Sequence, residues 1–313
     1  MPDWKIIITD GLNESGLDIL GKQAHVDPHF DISPVDLLDI ISDYDAMIVR
    51  GKTRVTAEVF SAAHRLKVLG RAGVGVDNID LAAANKHQVT VVNSPLATTQ
   101  AVAEHVIALI FALARSIPAA DSSLKSGLWL KNQFMGTEIK HKVLGIIGMG
   151  NIGSQVAQLT RSLGMRVLGN DPLIPETDIA LRGAHPVSRE ELLSQSDFIT
   201  IHVPLSNETR NLINGGTFSA MKRGARLICT ARGGIIDETA LLSALESEQI
   251  AGAALDVFAT EPPGMSAVIS HPRVIATPHI AAQTAEAQAR AAVDIANEVI
   301  AALNGESLRW KIV

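Results

Sequence analysis

The sequence predicts an α/β protein built from two doubly wound parallel sheets, and three observations lead to this fold class. Short apolar runs alternate with helix-forming stretches over 313 residues, a length beyond that at which a single core stops growing. A glycine-rich turn from Gly148 to Gly153 lies between an apolar run and a helical stretch. A segment almost free of helix breakers, Thr98 to Arg115, precedes that turn. Since strands separated by helices pair in parallel, parallel sheets covered on both faces are expected.

The first part of the chain contains four apolar runs that are typical of buried strands. They are Ile6–Ile8, Ala46–Val49, Leu66–Leu69 and Val89–Val92. The alanine-rich stretch from Ala281 to Leu303 predicts a helix that returns to cap these strands. We therefore expect a smaller, flavodoxin-like domain of residues 1–96 and 283–313. A second domain, residues 97–282, is inserted into it, and the helix from Thr98 to Arg115 is expected to link the two.

The inserted domain contains six further apolar runs, the strand number of a complete dinucleotide-binding, or Rossmann, fold. These runs lie at Val143, Val167, Phe198–His202, Leu227–Cys229, Ala253–Leu255 and Val274–Ala276.

The turn after the first of these runs has the glycine spacing of a dinucleotide site. Gly148 permits the tight turn, Gly150 lets the backbone approach a pyrophosphate, and Gly153 lets the helix predicted over Ser154–Leu163 pack close to the sheet. Amides at the start of that helix face the anion. Asp171 closes the next strand about 20 residues on, where a carboxylate accepts hydrogen bonds from a ribose 2′-hydroxyl and repels a 2′-phosphate. No basic residue is adjacent to Asp171, so NAD is favoured over NADP.

Composition excludes several classes of function. A formal net charge of −6 argues against general binding of nucleic acid or anionic lipid. The sequence has neither a signal-peptide pattern nor a run of about 18 uncharged apolar residues that would predict a membrane span. The single cysteine, Cys229, lies in an apolar run, where we interpret it as a small buried hydrophobe. We expect a cytoplasmic enzyme that acts on small molecules without a metal.

Candidate chemical groups lie just past the ends of predicted strands, where ligands of open α/β sheets bind. Arg232, Glu261 and His279 each occupy such a position. A guanidinium binds a carboxylate through two hydrogen bonds, and a histidine oriented by a carboxylate exchanges the proton of an alcohol. Together they are suited to oxidising a 2-hydroxy acid, although each residue type also occurs in structural or solvated positions. His105 is interpreted as a packing residue, and His202 as a residue near the cofactor without an evident partner.

Several short strings carry a resemblance to a known family. They are Gly70 to Asn78, Val102 to His105, Phe134 to Gly136, Ala231 to Gly234, Asp256 to Phe258 with Glu261-Pro262, and Pro278-His279. The chain resembles the D-isomer-specific 2-hydroxyacid dehydrogenases over essentially its whole length. Family members are dimers that exchange contacts through the region from about Ser94 to Phe134, so the resemblance implies a homodimer.

The resemblance also implies a role for each site residue. Arg232 would bind the substrate carboxylate, His279 would be the general acid/base, and Glu261 would be its partner. The adenosine and pyrophosphate would be held by Asn151, Ile152 and Asp171. The ribose and nicotinamide would be surrounded by Val203, Thr230, Asp256 and Ala282. The substrate carboxylate would be clamped by the backbone at Val74-Gly75, in the smaller, substrate domain.

The resemblance further implies that the substrate is D-3-phosphoglycerate, which would be oxidised to 3-phosphohydroxypyruvate in serine biosynthesis. Arg50, Lys52 and Arg71 are the cations that the sequence offers to its phosphate. Gly51 stands where relatives that act on this substrate commonly have Ser. Reduction of hydroxypyruvate or glyoxylate is the alternative. A second alternative is an NAD(H)-sensing binding protein, because the family also includes a transcriptional corepressor.

Overall fold

The computed structural model describes residues 3–313, which divide into two compact units. The first unit contains the chain up to Thr98 together with Gln283–Val313, and the second unit is Thr99–Ala282. The second unit is therefore an insertion between two segments of the first.

The first unit is a five-stranded parallel sheet covered by helices. Its strands, in chain order, are β1 (Trp4–Ile8), β2 (Ala24–Pro28), β3 (Ala46–Val49), β4 (Val68–Arg71) and β5 (Thr90–Asn93). Its helices are α1 (Glu14–Gly21), α2 (Pro34–Ile40), α3 (Ala57–Ala62), α4 (Leu81–Lys86) and, after the second unit, α13 (Ala285–Leu303). The strand order β2-β1-β3-β4-β5 is that of flavodoxin-like folds.

Successive side chains along each strand point to opposite faces of the sheet, so the core of this unit has two parts, one on each face. Ile6 and Ile8 lie in one cluster with α1 and α13, whereas Ile7 lies in the other with α2, α3 and α4. Helix α13 packs against β4 and β5. Its approach requires Gly70, since a Cβ there would lie 2.6 Å from Val299 Cγ2. The predicted return of this helix is confirmed, although it begins at Ala285 rather than Ala281.

The second unit is a seven-stranded parallel sheet. Its strands are β6 (Val143–Ile147), β7 (Arg166–Asn170), β8 (His185–Pro186), β9 (Phe198–Ile201), β10 (Ala225–Cys229), β11 (Ile250–Leu255) and β12 (Val274–Ala276). Its helices are α5 (Thr99–Arg115), α6 (Ile117–Lys125), α7 (Asn151–Ser162), α8 (Glu176–Leu181), α9 (Arg189–Gln195), α10 (Gly215–Ala220), α11 (Glu238–Glu246) and α12 (Ala267–Ser270).

The strand order of this sheet is that of a Rossmann fold. The sheet reads β12-β11-β10-β9-β6-β7-β8, and the order reverses between β6 and β9. Helices α5 and α7 cover one face, and α9, α10 and α11 cover the other. The predicted fold class is confirmed. The six predicted strands are all present, and two further strands, β8 here and β2 in the first unit, were not predicted from the sequence.

No single helix within residues 3–313 is both long and apolar enough to cross a membrane. Helices α5 and α6 reach the required length and composition only as a pair, which is bent by 63°.

Parallel pairing brings the carboxyl ends of all strands in a sheet to one edge. In the second unit this edge carries the loops after β6, β7, β10, β11 and β12, and in the first unit it carries those after β1, β3 and β4. Every candidate site residue lies in or beside one of these loops, or just after β9.

Candidate active site

The glycine-rich turn connects β6 to α7, and each glycine meets a different steric demand. Gly148 has φ +94°, and a Cβ there would lie 2.6 Å from the His202 carbonyl oxygen. A Cβ at Gly153 would lie 2.1 Å from the Gly148 carbonyl oxygen, so only glycine lets the helix start this close to the turn. Space beside Gly150 is open: within residues 3–313, nothing beyond its chain neighbours lies within 4 Å of a Cβ placed there. A phosphate can therefore approach the backbone at this position.

Helix α7 begins at Asn151, directly after the turn. The amides of Asn151, Ile152 and Gly153 occupy its first turn, where helical amides have no partner within the helix. The predicted helix began at Ser154, so the observed one is longer at its amino end and includes residues of the glycine motif itself. This placement is the one that an anion site at a helix start requires.

Asp171 follows β7, and its side chain is hydrogen-bonded to the glycine-rich turn after the neighbouring strand β6. Its Oδ2 accepts a hydrogen bond from the Met149 amide at 2.8 Å, and its Oδ1 accepts one from the Leu173 amide at 3.0 Å. Each carboxylate oxygen accepts two hydrogen bonds, so both retain capacity for ribose hydroxyls. The two amides hold the negative charge at the end of the second strand of the nucleotide unit.

Two further residues of the predicted cofactor site lie after β9 and β10. Val203 lies beside the glycine turn, 2.8 Å from a Cβ placed on Gly148. Thr230 is buried, and its Oγ1 has no hydrogen-bond partner within the described residues 3–313. A buried hydroxyl without a partner costs free energy, and a polar ligand group would satisfy it. Open space at Gly150 and this hydroxyl both fit a bound dinucleotide.

His279 and Glu261 form a hydrogen-bonded pair. His279 Nδ1 lies 2.8 Å from Glu261 Oε2, and Glu261 Oε1 accepts a hydrogen bond from the Phe258 amide at 3.1 Å. An ionised carboxylate only accepts hydrogen bonds, so Nδ1 carries the proton and Nε2 is the nitrogen free to exchange one. Both side chains are exposed, His279 by 49% and Glu261 by 37%, so a substrate can reach the imidazole.

The segment that carries His279 is held by Asp256, which follows β11 and is fully buried. Its Oδ1 accepts hydrogen bonds from Thr277 Oγ1 at 2.6 Å and from the Ile280 amide at 2.9 Å, and its Oδ2 accepts one from the Ala281 amide at 2.8 Å. His279 lies between these anchors with φ +54°, a left-handed conformation that non-glycine residues rarely adopt. Asp256 therefore positions the backbone on both sides of the imidazole.

The sequence did not indicate this network of hydrogen bonds. Asp256 was predicted to lie at the cofactor site and His105 to be a packing residue. Their contacts were not predicted: His105 Nε2 lies 3.3 Å from Thr277 Oγ1 and 3.7 Å from Asp256 Oδ1. One feature of the sequence could have indicated the network: the acidic residue Asp256 directly follows the apolar run of β11. Thr277, which precedes Pro278-His279, gave no signal of its own because a single threonine in a loop is common.

Arg232 lies in the loop after β10, beside the loop that carries Glu261. A Cβ at Gly233 would lie 1.8 Å from the Phe258 carbonyl oxygen, so this glycine lets the two loops touch. Arg232 Nη1 donates to the Ala231 carbonyl at 2.7 Å. The guanidinium is partly buried and lies at the same edge of the sheet as His279.

Two other groups near these loops are unsuited to acid/base or nucleophilic chemistry near neutral pH. Burial lowers the pKa of His202 to about 3, and its Nε2 lies 3.0 Å from Thr200 Oγ1, a partner that the sequence did not suggest. Burial raises the pKa of the Cys229 thiol to about 11, which agrees with its interpretation as a buried apolar side chain. His279 is thus the histidine of this region suited to proton exchange.

The remaining predicted substrate residues lie in the first unit. Arg50 follows β3, and Arg71 ends β4, where its Nη1 donates to the Ala72 carbonyl at 3.2 Å. The loop at Val74-Gly75 is held by Asn93, whose Nδ2 donates to the Val74 carbonyl at 2.8 Å. Within residues 3–313, the backbone amides of Val74 and Gly75 donate no hydrogen bond, so both are available to an anion.

A match to a known family covers most of the second unit. Residues 107–281 match the model of the D-isomer specific 2-hydroxyacid dehydrogenase, NAD binding domain. The chain belongs to the D-isomer specific 2-hydroxyacid dehydrogenase family. Its second unit is therefore the family's NAD-binding domain, and the predictions of the family and of NAD as the cofactor are confirmed.

Similar proteins within this family include two bacterial D-3-phosphoglycerate dehydrogenases. The enzyme of Synechocystis sp. is 47% identical over 94% of this chain and 53% of its own length. That of Bacillus subtilis is 44% identical over 95% of this chain and 56% of its own length. The chain thus spans about half the length of the curated relatives it matches. The crystal structure of a glyoxylate reductase from Paecilomyes thermophila superposes with a TM-score of 0.91 at 28% identity, over 100% of this chain and 99% of that protein.

The position of Asp171 in this family's NAD-binding domain predicts a preference between cofactors. A fixed carboxylate that faces a 2′-phosphate should cost roughly 1 to 3 kcal/mol, or about 5- to 150-fold in binding. We expect kcat/KM to be higher with NADH than with NADPH by this factor, and Asp171→Ala to narrow the difference. Glu176→Ala, which removes an exposed carboxylate at the start of α8, is the matched control and should leave the ratio unchanged. Equal efficiency of the wild type with both cofactors would contradict the assignment.

Proposed function

We propose that the protein is an NAD-dependent dehydrogenase that oxidises D-3-phosphoglycerate to 3-phosphohydroxypyruvate and catalyses the reverse reduction. The observation that carries this proposal is the His279–Glu261 pair at 2.8 Å, held at the edge of an NAD-binding sheet. A histidine oriented by a carboxylate is what hydride transfer to a ketone requires as a proton donor. The similarity to D-3-phosphoglycerate dehydrogenases supports the choice of substrate.

Each side chain is proposed to have one task. The dinucleotide that Asn151, Ile152 and Asp171 would hold would supply the hydride in the reduction and accept it in the oxidation. In the reduction, His279 Nε2 donates its proton to the keto oxygen, and in the oxidation it accepts the hydroxyl proton. Glu261 holds Nδ1–H and stabilises the imidazolium. Arg232 binds the substrate carboxylate and polarises the adjacent carbonyl, and the amides of Val74 and Gly75 are available to an anionic group of the substrate.

A second candidate reaction is the reduction of hydroxypyruvate or glyoxylate. It is favoured by the close superposition on a glyoxylate reductase and by Gly51 in the loop after β3. An NAD(H)-sensing protein without enzymatic activity is the third candidate. Steady-state turnover of 3-phosphohydroxypyruvate, hydroxypyruvate and glyoxylate with NADH distinguishes the three, because the sensor turns over none of them.

We also propose that the enzyme is a homodimer of the cytoplasm. Large apolar side chains are exposed in and after α6, the region through which the family resemblance implies dimer contacts. They are Ile117, Leu124, Leu128, Trp129 and Met135, of which Trp129 is 79% and Met135 90% exposed. A reducing compartment suits a chain whose single cysteine is buried and unpaired.

Loss of the imidazole should abolish most of the turnover. His279→Asn is expected to lower kcat by on the order of a hundredfold or more and to leave the affinity for NADH nearly unchanged. Glu261→Gln should have a smaller effect on kcat, because the imidazole itself remains while the imidazolium loses a stabilising charge. His185→Asn, on exposed strand β8, is the control. Near-normal turnover of His279→Asn would rule out its role.

Loss of one phosphate contact should discriminate between substrates. Charge-assisted hydrogen bonds to phosphate are worth about 1.5 to 3 kcal/mol each, so Arg50→Ala should lower kcat/KM for 3-phosphohydroxypyruvate by roughly 10- to 150-fold. Glyoxylate has no phosphate and should be unaffected. The exposed Arg54 in the same loop provides the control Arg54→Ala. Equal losses on both substrates would mean that Arg50 is structural.

The assembly state is measured directly by light scattering. We expect a mass of twice 33.2 kDa at micromolar concentration, and we expect Trp129→Ser to shift the distribution toward monomer because it removes exposed apolar surface. A wild-type monomer under these conditions would contradict the dimer.

A further inference from the structure

The loop that carries Arg50 is held by a carboxylate on a neighbouring strand. Asp10 lies two residues past β1, and its Oδ2 accepts hydrogen bonds from the Arg50 amide at 2.8 Å and the Lys52 amide at 3.1 Å. The Thr53 amide lies 3.1 Å from both oxygens, and Thr53 Oγ1 donates to Oδ1. One side chain thus binds three of the four amides in the turn Arg50–Thr53.

The same loop is held through its carbonyls by Asn78. Its Nδ2 donates to the Arg50 carbonyl at 3.2 Å and to the Thr53 carbonyl at 2.7 Å. Asp10 accepts from the amides of the loop and Asn78 donates to its carbonyls. Together they determine the path of the backbone at both ends of the loop. Neither interaction depends on the side chains at positions 50–52.

Arg50 itself remains available to a ligand. Its guanidinium is partly buried, and its Nη2 lies 3.4 Å from Gln283 Oε1, a long hydrogen bond to an exposed amide. Burial lowers the pKa of Arg50, and the negative charge of Asp10 opposes that shift. Asp10 thus supports the positive charge of Arg50 and sets the position of its backbone.

We propose that Asp10 is a positioning residue for the substrate phosphate: it orders the turn Arg50–Thr53 so that Arg50 is preorganised to bind a phosphorylated acid. Asn78 acts with it from the other side of the turn. The inference rests on the proposed function and deepens it, because it assigns substrate selectivity to a carboxylate that does not touch the substrate. A carboxylate whose oxygens already accept from three backbone amides and a hydroxyl is unsuited to bind the anion itself. Preorganisation lowers the entropy lost when a loop closes on its ligand.

The decisive experiment replaces Asp10 with asparagine and compares two substrates that differ by the phosphate. Asp10→Asn keeps the shape of the side chain but turns one acceptor into a donor that faces backbone amides. We expect KM for 3-phosphohydroxypyruvate to rise by about tenfold, the loss of roughly one charge-assisted contact, with kcat little changed. The kcat/KM for hydroxypyruvate, which lacks the phosphate, should stay within about twofold of the wild type.

A double-mutant cycle tests whether Asp10 acts through Arg50. If it does, Asp10→Asn should have little further effect on KM in the Arg50→Ala background, so the two effects should be strongly non-additive. Additive effects would overturn the inference. Asn78→Ala is an independent variant that should likewise raise KM for 3-phosphohydroxypyruvate and leave kcat/KM for hydroxypyruvate nearly unchanged. Equal losses on both substrates, in Asp10→Asn or in Asn78→Ala, would mean that these residues only stabilise the fold.

The matched control is Asp45→Asn. Asp45 is a buried carboxylate of the same unit that also accepts a backbone amide, from Lys5 at 3.1 Å, and it pairs with Arg65 Nη2 at 3.0 Å. It lies just before β3, at the opposite end of the strands from Arg50. This variant should lower the melting temperature without changing the ratio of the two substrates. If the wild type prefers hydroxypyruvate, both the proposed substrate and this inference are wrong. If the wild type prefers the phosphorylated acid but Asp10→Asn affects both substrates equally, only the inference is wrong.

Discussion

The left-handed backbone at His279 depends on a buried carboxylate. Asp256 binds the segment through one hydroxyl and two amides, with distances of 2.6 to 2.9 Å. Hydrogen bonds to a charged group are worth about 1.5 to 3 kcal/mol each, whereas a non-glycine residue with positive φ costs about 1 to 3 kcal/mol. Three such bonds outweigh the strain at one residue. The imidazole is therefore presented by a backbone conformation that the residue would not adopt alone.

The same arrangement recurs at two other strand ends. Asp10 after β1 binds the amides of the loop after β3, and Asp171 after β7 binds an amide of the turn after β6. Asp256 after β11 binds the loop after β12. In each case the two strands are neighbours in a parallel sheet, so their loops leave from the same edge. A carboxylate on one strand can then order the functional loop of the next, because backbone amides are strong, fixed donors.

Much of this organisation could be predicted from the sequence, and the limits have physical causes. Apolar runs indicated ten of the strands because buried parallel strands are apolar on both faces. Strand β2, Ala24–Pro28, was missed because it is a polar edge strand, and β8, His185–Pro186, because two residues show no periodicity. The pairing of His279 with Glu261 was expected from the family resemblance. The role of Asp256 was not, since hydrogen bonds to backbone amides leave no pattern in the side chains that receive them.

Loops ordered through their amides can change side chains without changing shape. Asp10 binds the backbone of residues 50, 52 and 53, and every residue except proline supplies the same amide. Position 51 is the clearest case: within residues 3–313, a Cβ placed on Gly51 meets no atom within 4 Å beyond its chain neighbours, so a small side chain would fit there without moving the turn. A serine at this position would therefore add a hydroxyl to the loop and leave the path of its backbone intact. Since a fold does not determine the ligand, a loop of this kind can change the groups that it presents while its own backbone stays in place.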